Sequence, residues 1–198
     1  MKTPSAPLIA NRPNGAAGRL SAWAIRALLC VFALNVWAGQ SEVIEHQVKA
    51  AFLYKFGAYV EWPEQTFAQA NSPVIIGIMG SDTVADELAQ MSSGRSINGR
   101  PVNVKRLHQG DAITGLHILF IARTDPSRMA AALASAKGLP LLVVTETDPP
   151  LMAGGVINFV IDGAKVRFDV ALRSAEANNI KLSARLLTVA RKVIGAPP

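Results

Sequence analysis

The sequence holds a single cysteine, Cys30, and none after it. No disulfide can staple the chain internally, and thiolate zinc sites and cysteine nucleophiles are excluded from everything downstream. Histidine is scarce too: His46, His108 and His117 stand far apart with no H-x-x-x-H spacing, so no metal site is expected. The nucleophile signatures G-x-S-x-G and S-x-x-K are absent, and no acid/base pair stands out, so neither an enzyme nor a resident cofactor is expected. Charged residues are few, at 17%, against 50% apolar residues, which rules out a solvated polyelectrolyte and gives the chain enough material for a buried core. At 198 residues, with no repeat and no linker of biased composition, one domain is the economical reading.

Acidic residues are missing from the first 38 positions, which carry Lys2, Arg12, Arg19 and Arg26 among several prolines and glycines. A twelve-residue apolar run, Ala27–Ala38, follows and is interrupted only by Asn35. Spanning ~30 Å of hydrocarbon takes about 20 apolar residues, so this run is short for a membrane helix, and a retained anchor, for which the length of the leader speaks, is the alternative to a cleaved signal. A positive region, a short apolar stretch and small residues at Val36 and Ala38 make a secretory signal, with cleavage expected after Ala38 and export to the periplasm. Leu29 before Cys30 argues against a lipid-modified cysteine. The overall charge of +6 changes meaning once this segment is set aside: sixteen basic against fourteen acidic residues leave +2 on residues 39–198. No concentrated basic face remains to hold a phosphate backbone, so nucleic acid is not an expected partner.

The rest alternates in period. Apolar residues at three- and four-residue spacing from Val43 to Val60 predict a helix over 42–61, stopped by Trp62-Pro63. Continuous apolar runs at 73–79, 117–122 and 141–145 read as buried strands, and an alternating strand covers 102–107. A helix capped by Asp82 and another opening at Asp125-Pro126 lie between them. Segments 155–161 and 165–170 flank Asp162-Gly163, an antiparallel hairpin signal, and helices are expected at 173–178 and 183–194 with Ser183 as cap. The expected architecture is a single-domain α/β layered sheet, mainly parallel with a C-terminal antiparallel hairpin, and helices on both faces.

Two groups of residues stand out as candidates. Glu146, Asn158 and Arg167, with Glu61 nearby in type, are polar residues beside apolar segments. If the hairpin brings them together they form a small ligand pocket; otherwise they belong to a solvated edge or a satisfied structural pair. A pocket at the carboxyl ends of strands, near Gly80, Ala122 and Glu146, is where open α/β sheets commonly bind small molecules. Gly77-Ile-Met-Gly80-Ser-Asp82 lacks the third glycine and the distant acid of a dinucleotide fingerprint and reads as a tight turn.

Three segments taken together carry a resemblance. Lys49-Ala-Ala-Phe-Leu-Tyr-Lys-Phe-Gly-Ala-Tyr-Val-Glu-Trp-Pro63, then Gly154-Gly-Val-Ile-Asn-Phe-Val160 with Val166-Arg-Phe168, then Ile180-Lys-Leu-Ser-Ala-Arg-Leu-Leu187 resemble the YfiR family of exported regulatory proteins. The resemblance implies a periplasmic α/β protein without catalytic activity that represses an inner-membrane diguanylate cyclase by binding its periplasmic sensor portion. Cyclic di-GMP signalling, biofilm formation and motility would lie downstream, and an outer-membrane lipoprotein or a second copy of the chain are further partners to expect. The best-known member carries disulfides, one near the loop corresponding to 147–155 here; this chain lacks them, so redox control of repression is not available to it. A repressor of this kind needs exposed contact residues. Leu151 and Met152, in the Pro/Gly-bounded loop from Asp148 to Gly155, are the leading candidates, joined by Phe159, Arg167 and Tyr54; Tyr59 and Trp62 are of the same interfacial type but serve equally well as core.

Overall fold

A computed structural model describes residues 44–124, 126–148 and 154–195. The chain divides into two compact units, Met1–Glu42 and Val43–Pro198, and every described residue belongs to the second. The segment expected to be a leader, with Cys30, and the residues Leu151 and Met152 therefore lie outside the described residues.

The amphipathic segment at the start forms helix α1 over residues 44–57. It is shorter than the periodicity suggests. Ala58 and Tyr59 donate back to the Lys55 and Phe56 carbonyls, tightening the last turn, and Val60–Glu61 (β1) then runs extended to pair with Lys181–Leu182 (β9). Pro63 then keeps Trp62 out of the helical region, so the helix does not resume after β1. Gly57 has a second role at the helix end: a Cβ there would stand 2.7 Å from Ile97 Cδ1. A side chain at this position would push Ile97 away from α1.

The main sheet has eight strands: β2 (Val74–Met79), β3 (Ser96–Ile97), β4 (Arg100–Leu107), β5 (Ile118–Ile121), β6 (Leu142–Thr145), β7 (Ile157–Asp162), β8 (Lys165–Ala171) and β10 (Lys192–Ile194). Their spatial order is β10-β8-β7-β6-β5-β2-β4-β3. Pairing is parallel from β4 through β7 and between β8 and β10, and antiparallel in the β7–β8 and β3–β4 hairpins. The mainly parallel α/β sheet with a C-terminal hairpin is thus the fold of the chain. Helices α2 (Asp82–Ser92), α3 (Pro126–Ala136), α4 (Leu172–Ala177) and α5 (Ala184–Val189) complete it.

Alternation along the strands sorts the core into two layers. Ile118, Phe120, Leu142 and Val144 join Leu53 and Phe56 of α1, with Val84 and Leu88 of α2 and Leu186 of α5, on one face. Leu119, Ile121, Leu141 and Val143 meet Met129, Leu133 and Ala136 of α3 on the other. Phe56 touches Phe168 of β8 while Gly57 sits under Ile97 of β3, so the sheet curls round α1 and brings strands from both ends of the order onto it.

Four local expectations change. Ser81, not Asp82, caps α2, accepting from the Val84 N–H. Asn98 and Gly99 at φ +50° and +80° form the two-residue loop of the β3–β4 hairpin, an Asn-Gly signal that the sequence does carry. The second hairpin turns on Gly163-Ala164, because Asp162 pairs with Lys165, which moves its register by one residue along each strand. Residues 192–194 form strand β10 rather than the end of a helix: Ala190 turns extended, Arg191 donates its N–H to the Phe168 carbonyl, and the β-branched Val193-Ile194 pair with Val170-Ala171.

Candidate functional site

The hairpin β7–β8 reaches past its neighbours. Strand β6 pairs with only Ile157 and Asn158 of β7, and β10 reaches β8 only from Asp169 onward. Residues 159–168 therefore form a two-stranded arm at the carboxyl end of the sheet. Its inner face carries Phe159 and Phe168 against Phe52 and Phe56, with ring centroids 5.0 to 6.0 Å apart. Farther along the arm, Ile161 is 49% exposed.

Asn158 is fully buried and saturated. Its Oδ1 accepts from Thr145 Oγ1 at 2.8 Å, Thr147 N–H at 2.9 Å and Thr147 Oγ1 at 3.0 Å, while Nδ2 donates to the carbonyls of Thr147 and Phe159. A side-chain amide has no more to offer. This residue clamps the segment that leaves β6 to the start of β7.

Glu146 projects on the α1 side of the sheet, where its Oε1 accepts from Lys49 Nζ at 2.9 Å. Lys49 is 3% exposed and donates also to Glu45 one turn earlier, so the lysine of the Lys49–Tyr54 segment ties α1 to the end of β6. Asn158 and Arg167 lie on the α3 side, with Arg167 exposed opposite Val160. The structure does not bring Glu146 together with Asn158 and Arg167, because a strand alternates its side chains between faces. Phe159 is 1% exposed and belongs to the aromatic cluster. Tyr54 is half-buried on the α1 side and donates to the Ser96 carbonyl at 2.9 Å, far from Arg167 in the sheet order. Tyr59 and Trp62 pack against the α1-side core. Glu61 is exposed on β1.

An ion pair between a buried carboxylate and an exposed arginine has no counterpart in the sequence expectations. Asp169, wholly buried on β8, is held by Arg191 at 2.8 Å (Nε) and 2.6 Å (Nη2), and this bond, ahead of the nearby charges, raises the arginine's pKa. Nothing in local spacing signals a pair 22 residues apart.

A cavity of about 470 Å³ opens at the carboxyl ends of β2, β4 and β5. From β2 the chain passes to β4 on one side and then returns to β5 on the other, which makes this the switch point where α/β sheets form crevices. Its walls include Met79, Leu107, Ile113, Ile121 and Ala132, and Gly80 and Ala122 line it as expected. Glu146 does not. The 108–113 segment, which supplies His108 and Asp111, carries no sequence signal for this position; Asp111 Oδ2 accepts the His108 N–H at 2.7 Å and shapes the turn.

At the opposite end of the sheet His117 is 4% exposed and stacks on Phe67 at 4.3 Å, with Trp62 edge-on and the Arg100 guanidinium 3.8 Å over the Phe67 ring. Its Nδ1 accepts the Ile75 N–H at 3.0 Å, so the neutral ring carries its proton on Nε2, which has no partner among the described residues. Burial first, and then the Arg100 charge, lower the His117 pKa; the Thr66 backbone pulls weakly the other way from outside hydrogen-bonding geometry. A folded-state value below the unfolded one means that the neutral ring stabilises the fold above about pH 6.5 and that this contribution is lost as pH falls from there toward the lowered value. Urea midpoints should therefore drop between pH 7.5 and pH 5.5, and His117→Phe should flatten that slope; an equal slope in the variant would assign it elsewhere.

Comparison with known families settles what kind of protein carries these features. Residues 46–191 match the family described as YfiR/HmsC-like. The chain belongs to that family. The match runs from α1 to the start of β10 and so takes in both core layers, the clamp at Asn158 and the projecting arm. The segments that carry the YfiR/HmsC-like resemblance supply the aromatic cluster, the Lys49 tie and the Asn158 clamp, all of which are framework. A search of the curated proteins finds no match.

Proposed function

We propose that this YfiR/HmsC-like protein is exported to the periplasm, where it binds the sensor portion of an inner-membrane diguanylate cyclase and holds the enzyme in its low-output state. Family membership over residues 46–191 carries the reading. A binding protein acts on its partner only through differential affinity for two states, so it needs a surface and no reactive group. The surface proposed is the loop containing Leu151 and Met152, which lies outside the described residues, together with Arg167 and the apolar end of the arm at Ile161. Phe159 supports that arm from within and would not itself meet a partner.

The double variant Leu151→Asp/Met152→Asp should lose repression while keeping the wild-type melting temperature, read as cellular cyclic di-GMP and by thermal unfolding. Unchanged repression removes the loop from the interface. A gene for a membrane cyclase with a periplasmic loop beside this one, and capture of that loop by the purified mature chain, test the partner itself.

A second reading, a periplasmic small-molecule sensory module, is favoured by one observation: the crevice at the β2/β5 switch point has a volume in the range of ligand pockets, about 300–1,000 Å³, and mainly apolar walls. The two readings coexist if a ligand there changes affinity for the partner.

A further inference from the structure

The α3 side of the sheet is incompletely covered. Helix α3 lies there with a groove of about 580 Å³ between it and α4, floored by Met129 and Leu133 and walled by Ala130, Ala134 and Ala177. The exposed part of α3 is unusual for a surface helix. Ala130, Ala131, Ala134 and Ser135 are all exposed, and Arg128 is the only charged residue in the helix. Solvent-facing helix positions ordinarily carry charged or long polar side chains. Here small residues leave the backbone approachable, and apolar surface is open on the flank.

The rim of this groove is of one sign. Lys137 follows the last turn of α3 and Arg173 stands in the first turn of α4; both are exposed, and neither enters an ion pair among the described residues. The polar side chain at its floor, Asn178, already donates to the Leu141 carbonyl at 2.9 Å. A small ligand would find no convergent polar groups to fix it, unlike the binding sites that enclose such molecules. A second copy of the chain meeting this face with the same groove would bring a lining that holds Lys137 and Arg173 and no carboxylate, and like charges oppose that contact.

We infer that the α3–α4 groove docks an amphipathic helix whose apolar side chains fill the space over Met129 and Leu133 and whose flanking carboxylates meet Lys137 and Arg173. This is helix-in-groove recognition, read by anchors at i, i+3, i+4 and i+7. Alanines on α3 permit a close interhelical approach, since the spacing is set by the side chains at the contact. Gly154, at the end of the loop proposed above as a partner contact, also lines the groove, where a Cβ would stand 3.5 Å from Leu133 Cβ. The inference concerns the chemistry that the groove accepts and does not depend on the cyclase being the source of the helix.

Two designed peptides of about fifteen residues test it. They share one leucine face and a helix-stabilising backbone and differ only in glutamate or lysine on both flanks. Fluorescence anisotropy with the full mature chain should show the glutamate peptide binding about tenfold more tightly at low salt, the scale expected of two partly exposed charge pairs, with the preference shrinking as salt is raised. Lys137→Glu/Arg173→Glu should invert the preference. Ala134→Arg, at an exposed position that tolerates a long helix-forming residue, should abolish binding of both peptides with the melting temperature unchanged, and this second variant keeps the test sound if the double reversal folds poorly. Equal binding of the two peptides, binding undiminished in Ala134→Arg, or binding of neither peptide would overturn the inference.

Discussion

Phe159→Ala is expected to destabilise the protein by about 4 kcal/mol, within the range for emptying an aromatic site in a core that only partly collapses. The ring is 1% exposed and contacts Phe52, Phe56 and Phe120, with centroids 5.8 to 6.0 Å away, and Phe168 faces it directly across the hairpin register. These rings join α1 to both strands of the arm and to β5, so the loss falls on contacts between elements distant in sequence. Aromatic pairs of this geometry add to the area term. Urea unfolding at pH 7.5 measures the change. A loss below about 1 kcal/mol would place Phe159 at the surface, where a partner could use it, and would overturn the packing described for the arm.

Asn158→Leu is expected to cost about 3 kcal/mol, although leucine has a similar volume and is more apolar. The reason is what it leaves behind. The Thr147 N–H and the Thr145 hydroxyl lose this acceptor, Thr145 keeping only a long contact of 3.4 Å to the Ile157 carbonyl, and the Thr147 and Phe159 carbonyls lose a donor, at a site where Asn158 and Thr145 are buried and Thr147 is half-buried. The penalty for orphaned buried groups outweighs the gain from burying a larger hydrocarbon. Hydrogen exchange should show the effect concentrated at Thr145–Thr147 and at the start of β7. If Asn158 were instead a ligand-binding residue poised in a pocket, Asn158→Leu would leave stability within about 0.5 kcal/mol of wild type, as surface changes do.

These two residues explain what the sequence made legible. In the Ile157-Asn-Phe159 stretch a polar residue stands between two large hydrophobes. This pattern reflects a structural clamp and an aromatic cluster, not an exposed site. Buried strands were readable from continuous apolar runs, and the hairpin from its glycine turn. Strand β10 was not, because Leu186, Leu187, Val189, Ala190 and Val193 keep helical spacing; only the capture of Arg191 by buried Asp169 and the pairing with β8 turn the chain into a strand. Tertiary context overrides local periodicity in so short an element.

The candidate site was legible in part for a related reason. Gly80 and Ala122 were placed at the crevice by the general rule for strand ends, and the structure puts both in its wall. Glu146 occupies the same row one strand farther on, past the end of β6, so it stands outside the crevice at the ends of β2, β4 and β5, and Lys49, 97 residues away, holds it on the α1 side. Local sequence shows that a residue follows a strand but not which strands are neighbours, and β6 lies on the far side of β5 from β2. The groove beside α3 had no linear signature at all, since α4 arrives from a distant part of the chain.

The account stands on a protein that regulates by contact. The most direct measurement is cyclic di-GMP synthesis by the membrane diguanylate cyclase proposed as its partner, reconstituted in vesicles with its periplasmic portion facing the added mature chain. The account predicts that synthesis falls in proportion to the chain bound, reaches a floor at saturation, and is restored when Leu151→Asp/Met152→Asp replaces the wild type. Synthesis that continues at its full rate with the wild-type chain saturating the vesicle surface would contradict it.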